Sequence, residues 1–147
     1  MRRIWIDADG CPVWRIVLQL AEKKKVPVVL VTDTAHVFPA GCQVITVDQG
    51  RDSVDMKLVN LVKPGDLVVT QDYGVAAMAL SRGAEAVNQN GMVFHNGNIN
   101  QLLWERHLGQ KLRRSGQKGK MPRGTAKRTK ADDDRFRLWL NSWLSSP

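Results

Sequence analysis

The chain has 147 residues, 43% of them hydrophobic, which suits one domain with a buried core and excludes a wholly disordered protein. No apolar run approaches the ~20 residues of a membrane helix, the apolar stretch at 4–6 is too short for a secretory signal, and two cysteines exclude a disulfide framework or a cysteine-rich zinc site. The net charge of +8 favours a polyanionic partner, and we expect a soluble protein of the reducing cytoplasm that does not associate with membranes.

Apolar runs alternate with amphipathic stretches along most of the chain. Strands are predicted at 3–7, 28–32, 43–47, 67–70 and 84–88, with a short edge strand at 92–94. Helices are predicted from Pro12 to about Lys25, at 53–62, at 73–82, at 99–114, and after Asp132 as an N-cap. Strands that alternate with single helices predict an α/β fold: a mainly parallel sheet of about five strands with helices on both faces.

The last third of the chain differs from the rest in composition. Residues 115–130 are rich in Gly, Lys and Arg, and we predict a mobile basic segment between an α/β domain at 1–114 and a C-terminal helix at 131–147. Because Trp139 and Trp143 are four residues apart on that helix, we expect its apolar face to pack on the domain or on a partner, a homodimer included. Alternatively, these side chains and Trp104 provide stacking faces for bases.

The positive charge is concentrated in one part of the sequence. Ten basic residues and no acid lie between Arg106 and Lys130, whereas the rest of the chain has 12 basic and 14 acidic residues. Such a segment is typical of phosphate contacts, although it is also compatible with a solvated tail that only improves solubility. We predict binding of nucleic acid, with RNA as the first candidate, through Lys111, Arg113, Arg114, Lys118, Lys120, Arg123, Lys127, Arg128 and Lys130.

Polar side chains close the predicted strands. An aspartate ends or follows each of the first four apolar runs (Asp7, Asp33, Asp48 and Asp72), and the fifth run ends at Asn88. Because the carboxyl ends of parallel strands share one edge, we expect these side chains to gather there, near the point where the strand order reverses and ligands bind. Asp9 joins them from the turn after the first strand. By contrast, Asp66 precedes the fourth strand and is predicted at the opposite edge.

The second helix contributes a further carboxylate. With residues placed about 100° apart, Asp55 falls within the apolar arc of Val54, Leu58 and Val62. An ionised carboxylate on the core-facing side of a helix is costly unless another group compensates it. Asp52 lies three residues earlier, so its side chain is predicted beside that of Asp55.

Clustered carboxylates predict a divalent cation. Like charges repel one another, and a cation removes that repulsion. The three histidines are far apart in the sequence, so the donors are hard oxygens, which select Mg²⁺ or Mn²⁺ over zinc. Such a site polarises a phosphoryl oxygen and generates hydroxide near neutral pH, and two metals about 4 Å apart would clamp the attacking and leaving oxygens. We therefore expect a metal-dependent phosphodiesterase.

Each of these acids also has a purely structural interpretation. Asp33 and Asp48 are typical turn residues, and Asp72 fits the N-cap of the third helix. Asp52 and Asp55 have the spacing of a capping arrangement. The neighbouring Cys11 is an unlikely nucleophile on either interpretation, since nearby negative charge raises the pKa of a thiol.

Three motifs resemble a known family. They are Ile6–Pro12 (IDADGCP), Gly50–Asp55 (GRDSVD) and Gly65–Asp72 (GDLVVTQD), continued by Gly83-Ala84, Asn88 and Asp134-Arg135. Together they resemble the YaiI/YqxD family of uncharacterised bacterial proteins over nearly the whole chain, a family whose fold is regarded as similar to that of PIN-domain nucleases. The resemblance implies a three-layer PIN-like α/β fold and a site in which Asp7, Asp55 and Asp72 bind metal, with Asp9 and Asp52 as accessory acids.

The sequence departs from that family pattern in two places. Gly10 stands where the family more often has Ala, which changes little. The residues Tyr73-Gly74-Val75 replace the usual Ile-Pro-Leu after Asp72, so a looser start of the third helix is expected.

Two other functions fit parts of the sequence. The segment 4–10 resembles the opening motif of haloacid-dehalogenase-like phosphatases, which would make Asp7 the nucleophile and Asp9 the acid/base, with Thr32 and either Lys57 or Lys63 as further motif residues. The position of Asp66 before its strand departs from that pattern. A nucleic-acid-binding protein without catalysis, in which the acids are structural, is the other alternative.

Overall fold

The computed structural model describes residues 2–8, 11–32, 42–47, 53–114 and 127–146; within these ranges the side chains of 53–56, 106, 110 and 112–114 are not described. The elements in chain order are β1 (Ile4–Asp7), α1 (Trp14–Lys23), β2 (Val28–Thr32), β3 (Gln43–Thr46), α2 (Ser53–Leu61), β4 (Leu67–Val69), α3 (Tyr73–Ser81), β5 (Glu85–Val87), β6 (Val93–Phe94), α4 (Asn96–Arg114) and α5 (Lys130–Ser145). None of the described helices is long and apolar enough to span a membrane.

The predicted α/β architecture is confirmed. The strands form a six-stranded sheet in the order β3-β2-β1-β4-β5-β6. The first five strands are parallel, and β6 pairs antiparallel with β5 at the edge. The short strand predicted at 92–94 is therefore the sixth member of the sheet.

Helix boundaries differ from the predictions in three places. Helix α1 begins at Trp14 rather than at Pro12, because Pro12 and Val13 form a turn before it. Helix α4 begins at Asn96, three residues early. The N-cap of α5 is Thr129, and Asp132 is the third residue of the helix, where the two side chains form a reciprocal capping box. The prediction of Asp132 as N-cap was thus wrong, although Asp132 does accept from the N-cap backbone.

The sheet is covered on both faces, which explains its continuous apolar strands. All five residues of β2 and all three of β4 are buried, and successive side chains alternate between the faces. One face packs against α1 and α5, and the other against α2 and α3, with α4 packed on α3. Because β1 to β5 are parallel, their carboxyl ends lie along one edge of this three-layer structure.

Helix α5 packs on the domain of its own chain. Phe136, Leu140 and Trp143 are buried in the core beside α1, and Trp139 is partly buried against the same cluster. The indole N–H of Trp143 donates a hydrogen bond to the Glu85 carboxylate. Packing rather than base stacking therefore accounts for Trp139 and Trp143.

The N-terminal segment holds the end of α5 in place. The Arg2 guanidinium lies over the Trp143 ring, 4.1 Å from its centroid, where a cation–π interaction is favourable. It also donates to the backbone oxygens of Leu144 and Ser146, at 3.0 and 2.7 Å. These contacts join the two ends of the chain on one side of the sheet.

Asp66 lies at the opposite edge of the sheet from Asp7 and Asp72, as predicted, and is a structural anchor. Its side chain is buried and accepts hydrogen bonds from the backbone N–H of Arg3 (3.0 Å), the backbone N–H of Lys63 (3.0 Å) and the indole N–H of Trp5 (2.9 Å). Gly65, at φ +89°, makes the turn that brings the carboxylate there. Asp66 thereby ties β1 to the start of β4.

We expect Asp66→Ala to lower the free energy of unfolding by about 2–5 kcal/mol, because it leaves the buried indole N–H of Trp5 and two partly buried backbone N–H groups without an acceptor. Urea denaturation measures the effect. Asp134→Ala is the matched control, since the Asp134 side chain is 56% exposed and has only a surface ion pair with Arg137. Equal stability of the two variants would contradict this role of Asp66.

Candidate functional site

The site predicted at the sheet edge lies between β1 and β4. From β1 the chain continues through α1 to β2 on one side, whereas β4 lies on the other side, so the strand order reverses between β1 and β4. Such a switch point is the usual ligand position in an open α/β sheet. Ile6 pairs with Val69, and Asp7 and Thr70 follow directly after this pair. Asp72 then begins α3 at the same edge.

Thr70 connects the two described acids of this edge. Its Oγ1 donates to Oδ2 of Asp7 at 3.0 Å and accepts from the backbone N–H of Asp72, also at 3.0 Å. The residue is 2% exposed, so the hydroxyl is held in a fixed position. One buried hydroxyl therefore sets the distance between Asp7 and the start of α3.

Asp72 is the N-cap of α3, which confirms the structural interpretation for one of its oxygens. Oδ1 accepts from the backbone N–H groups of Gly74 (2.8 Å) and Val75 (3.2 Å). Oδ2 has no hydrogen bond to any described residue. Gly74 supplies an N–H donor that a proline at the same position lacks, and the looser start expected for this helix stays a prediction.

The remaining predicted acids are described only in part or not at all. Asp55 lies in the first turn of α2, three residues before the buried Leu58, and its side chain is outside the described part of the chain. Asp9, Asp33, Asp48 and Asp52 also lie outside the described residues. Among the residues that are described, no three His, Cys, Asp or Glu side chains form a group that could hold a metal ion. The described chain thus connects the Asp7 carboxylate and the backbone N–H of Asp72 through one hydroxyl, and it leaves the other members of the predicted cluster untested.

Cys11 is a buried thiol beside this edge. Burial raises its pKa to about 11. The Asp7 carboxylate also raises the pKa, whereas the backbone N–H groups of Val13 and Trp14 and the Arg128 guanidinium lower it. The predicted direction was right, but desolvation and not the acid is the main cause.

Arg128 belongs to the protein framework. Its guanidinium donates to Oδ1 of Asp133 (2.8 Å), Oδ1 of Asn90 (2.6 Å) and the backbone oxygen of Gln89 (2.7 Å). The first contact is a salt bridge, and the other two join the start of α5 to the turn between β5 and β6. Arg128 was predicted to bind nucleic acid, but these internal contacts occupy its guanidinium.

Asn88, predicted at the same edge, also has a structural role. Its Oδ1 accepts from the backbone N–H groups of Asn90 and Met92, both at 2.9 Å, and so shapes the turn after β5.

The other predicted nucleic-acid contacts are distributed over two regions. Lys111 is exposed on α4, and Lys127 and Lys130 are exposed at the start of α5. Arg113 and Arg114 belong to α4 but their side chains are not described, and Lys118, Lys120 and Arg123 lie outside the described residues.

The phosphatase alternative loses Lys63, one of its two candidate lysines. Lys63 lies beside Asp66, at the edge opposite Asp7, and Lys57 is exposed on α2. A third-motif lysine of that kind of site would have to lie beside the Asp7 nucleophile. Thr32 is buried at the end of β2.

Thr70 is the residue that sequence reasoning did not select. It had been assigned only to the end of the fourth strand, although one signal was available: a polar residue follows an apolar run two residues before Asp72. The bridge itself depends on the register between β1 and β4, which are far apart in sequence.

We expect Thr70→Val to lower the free energy of unfolding by about 1–3 kcal/mol, since it removes a hydroxyl that bonds two partly buried groups, the Asp7 carboxylate and the Asp72 backbone N–H. Thr70→Ser retains the hydroxyl and should be closer to wild type by urea denaturation. If the valine variant is the more stable of the two, the bridge does not contribute as described.

We expect the Cys11 thiol to react slowly with Ellman's reagent in a Cys42→Ser background. With a pKa of about 11, roughly one Cys11 thiol in a thousand is ionised at pH 8, and the rate should rise about tenfold per pH unit up to pH 10. The same variant unfolded in guanidinium is the control. Equal rates for folded and unfolded protein at pH 8 would show that the thiol is accessible and unperturbed.

Comparison with known proteins assigns the family. A family model described as "Uncharacterized BCR, YaiI/YqxD family" matches residues 5–146. A UPF0178 protein of Ruminiclostridium cellulolyticum is 52% identical over 135 residues, which cover 91% of this chain and 86% of the relative. A UPF0178 protein of Alkaliphilus oremlandii is 47% identical over 144 residues, which cover 97% of this chain and 90% of the relative. No solved structure matches the chain significantly. The chain therefore belongs to the YaiI/YqxD family, as its three motifs indicated.

Proposed function

We propose that the protein is a metal-dependent phosphodiesterase that hydrolyses nucleic acid in the cytoplasm, with RNA as the first candidate substrate. The observation that supports this most directly is the buried Thr70 hydroxyl, which donates to the Asp7 carboxylate and accepts from the backbone N–H of Asp72. Two acidic residues from distant parts of the chain thus lie at the switch point of the sheet, where α/β folds bind their ligands.

The donor set suits a hard divalent cation. Carboxylate oxygens are the ligands that Mg²⁺ and Mn²⁺ prefer, and Oδ2 of Asp72 has no hydrogen bond to a described residue. The first turn of α2 comes after β3 in the chain, and α2 packs on β1 and β2, which supports the proposal that Asp55 belongs to the same site. Asp7, Asp55 and Asp72 would hold the metal, with Asp9 and Asp52 as accessory acids. When bound, one or two such cations polarise a phosphoryl oxygen and activate water.

The chain's own contacts fix the two described acids before any ligand binds. The Thr70 hydroxyl holds Oδ2 of Asp7, and the backbone N–H groups of α3 hold Oδ1 of Asp72. Each carboxylate is thereby oriented by a donor that does not depend on metal. Such preorganisation reduces the reorganisation that binding requires.

The basic residues supply the complementary charge for the substrate. Lys111, Lys127 and Lys130 are exposed, and contacts of lysine with phosphate hold a nucleic-acid backbone without reading its sequence. Such binding weakens steeply with salt.

We expect Mn²⁺-dependent cleavage of labelled single-stranded RNA that falls by more than about 100-fold in Asp7→Asn, Asp55→Asn and Asp72→Asn. Groups that merely orient a metal ligand are already worth about 10- to 100-fold, so the ligands themselves should matter more. Glu22→Gln is the matched control, because it removes one exposed negative charge near the end of α1, away from the site.

Three results, from cleavage, from metal-binding calorimetry and from beryllofluoride trapping, separate the candidate functions. Cleavage that survives unchanged in Asp7→Asn or Asp72→Asn overturns the proposed site. RNA binding without cleavage, together with no Mn²⁺ binding by calorimetry, supports the non-catalytic alternative. Formation of a beryllofluoride adduct on Asp7 would instead indicate the phosphatase chemistry.

A further inference from the structure

The outer face of α4 carries an exposed stripe of aromatic, apolar and basic side chains. It consists of Trp104, His107, Leu108 and Lys111, which we call the α4 stripe. The Trp104 side chain is 60% exposed and Leu108 is 40% exposed, and the other two residues are exposed as well. The rings of Trp104 and His107 lie against each other, with centroids 5.8 Å apart and planes inclined by 31°.

This stripe lies on the side of α4 that faces away from the core. Ile99 is 4% exposed and Leu102 packs partly buried against the cluster between the sheet, α2 and α3. At 3.6 residues per turn, Trp104 is rotated about 140–160° from these two residues around the helix axis. The burial of α4 is therefore complete without Trp104, and its exposed indole has no packing role among the described residues.

The charge of this helix favours an anionic ligand. Between 104 and 114 the sequence has four basic residues and one acid, Glu105. Lys111 lies two turns after Trp104 on the same side, next to His107. A flat aromatic group flanked by cations is the combination that binds single-stranded nucleic acid, where bases stack on the ring and cations contact the phosphates.

The exposed apolar area is too small for a protein partner of ordinary size. A large aromatic side chain has about 150–250 Å² of surface to bury, and Trp104 and Leu108 are each only partly exposed. A stable protein interface buries about 800 Å² on each partner. The indole face alone matches the size of one base.

We propose that the α4 stripe is a stacking platform for unpaired bases of single-stranded nucleic acid, with the Trp104 indole against a base and Lys111 near a phosphate. This inference rests on the proposed function in taking nucleic acid as the ligand, and it adds that the substrate is single-stranded. Bases in a duplex already stack on one another and present no free face to the indole.

The test compares binding of fluorescently labelled oligouridine and of an abasic oligomer of the same length, measured by anisotropy in EDTA. Trp104→Ala should weaken oligouridine binding about tenfold or more, in line with the loss of one stacked base. Trp104→Phe should retain most of the affinity because it keeps a ring. Binding of the abasic oligomer should be weaker at the outset and unaffected by Trp104→Ala, whereas Lys111→Ala should weaken binding of both.

Leu138→Ala on α5 is the matched control, since Leu138 is 75% exposed and its replacement should leave both affinities unchanged. The inference is overturned if wild type fails to bind oligouridine, if it binds the abasic oligomer equally well, or if Trp104→Ala has no effect. A dimer in sedimentation that Trp104→Ala abolishes would also overturn it, in favour of a second copy as the partner.

The same experiment separates this inference from the proposed function, because binding in EDTA requires no metal. Trp104-dependent binding by a protein that cleaves nothing supports the stacking platform and overturns the hydrolase. Metal-dependent cleavage by the wild type, together with unchanged binding in Trp104→Ala, supports the hydrolase and overturns the stacking platform.

Discussion

The parallel pairing of β1 with β4 is the constraint on which the rest of the structure depends. It joins the first strand to one that begins some sixty residues later, and it is held at both ends by a polar side chain. At the edge where these strands begin, the buried Asp66 carboxylate accepts hydrogen bonds from Arg3, Trp5 and Lys63. At the edge where they end, the Thr70 hydroxyl connects Asp7 to the start of α3. Between these ends the two strands are almost wholly apolar, so a slipped register would still bury apolar side chains but would break the hydrogen bonds at both ends. The directional hydrogen bonds at both ends specify the register, and the register determines which acids meet.

The acids of the two edges illustrate two uses of the same residue type. The Asp66 carboxylate is buried and accepts three hydrogen bonds from N–H groups of the chain, which compensate its charge. At the other edge, Asp72 shares one oxygen with the backbone of α3 and has a second without a described partner. A carboxylate that is satisfied on every side can only stabilise the fold, whereas one that is oriented through one oxygen retains the other for a ligand. The two aspartates therefore differ in whether a carboxylate oxygen is left without a described partner, a difference that their positions in the sequence do not show.

The basic residues divide in a similar way. Arg128 is used to fasten α5 to the turn after β5, because its planar guanidinium can donate to three acceptors at once. Lys111 and the neighbouring Trp104 instead remain exposed on the outer face of α4. The helices α4 and α5 flank the part of the chain with the highest positive charge. Arg128 anchors the start of α5 to the turn after β5, whereas α4 presents Trp104 and Lys111 to solvent. The net charge of the segment therefore overstates the number of cations that are available to a polyanion.

The order of strands and helices, the two-sided burial of the sheet and the edge at which Asp7, Asp66 and Asp72 lie were all determined by the sequence, because they follow from the spacing of apolar runs and from the geometry of parallel strands. The start of α1, the Thr129 cap of α5 and the roles of Thr70 and Arg128 were decided only by the tertiary structure. Each depends on a contact between residues distant in the chain or on a competition between nearby caps, where the free-energy differences are small. Periodicity reports which face of an element is apolar, but it contains no information about which neighbour that face will meet. For the same reason the sequence could place Asp7 and Asp72 at one edge, while only the paired strands could show that a single hydroxyl connects the Asp7 carboxylate to the backbone N–H of Asp72.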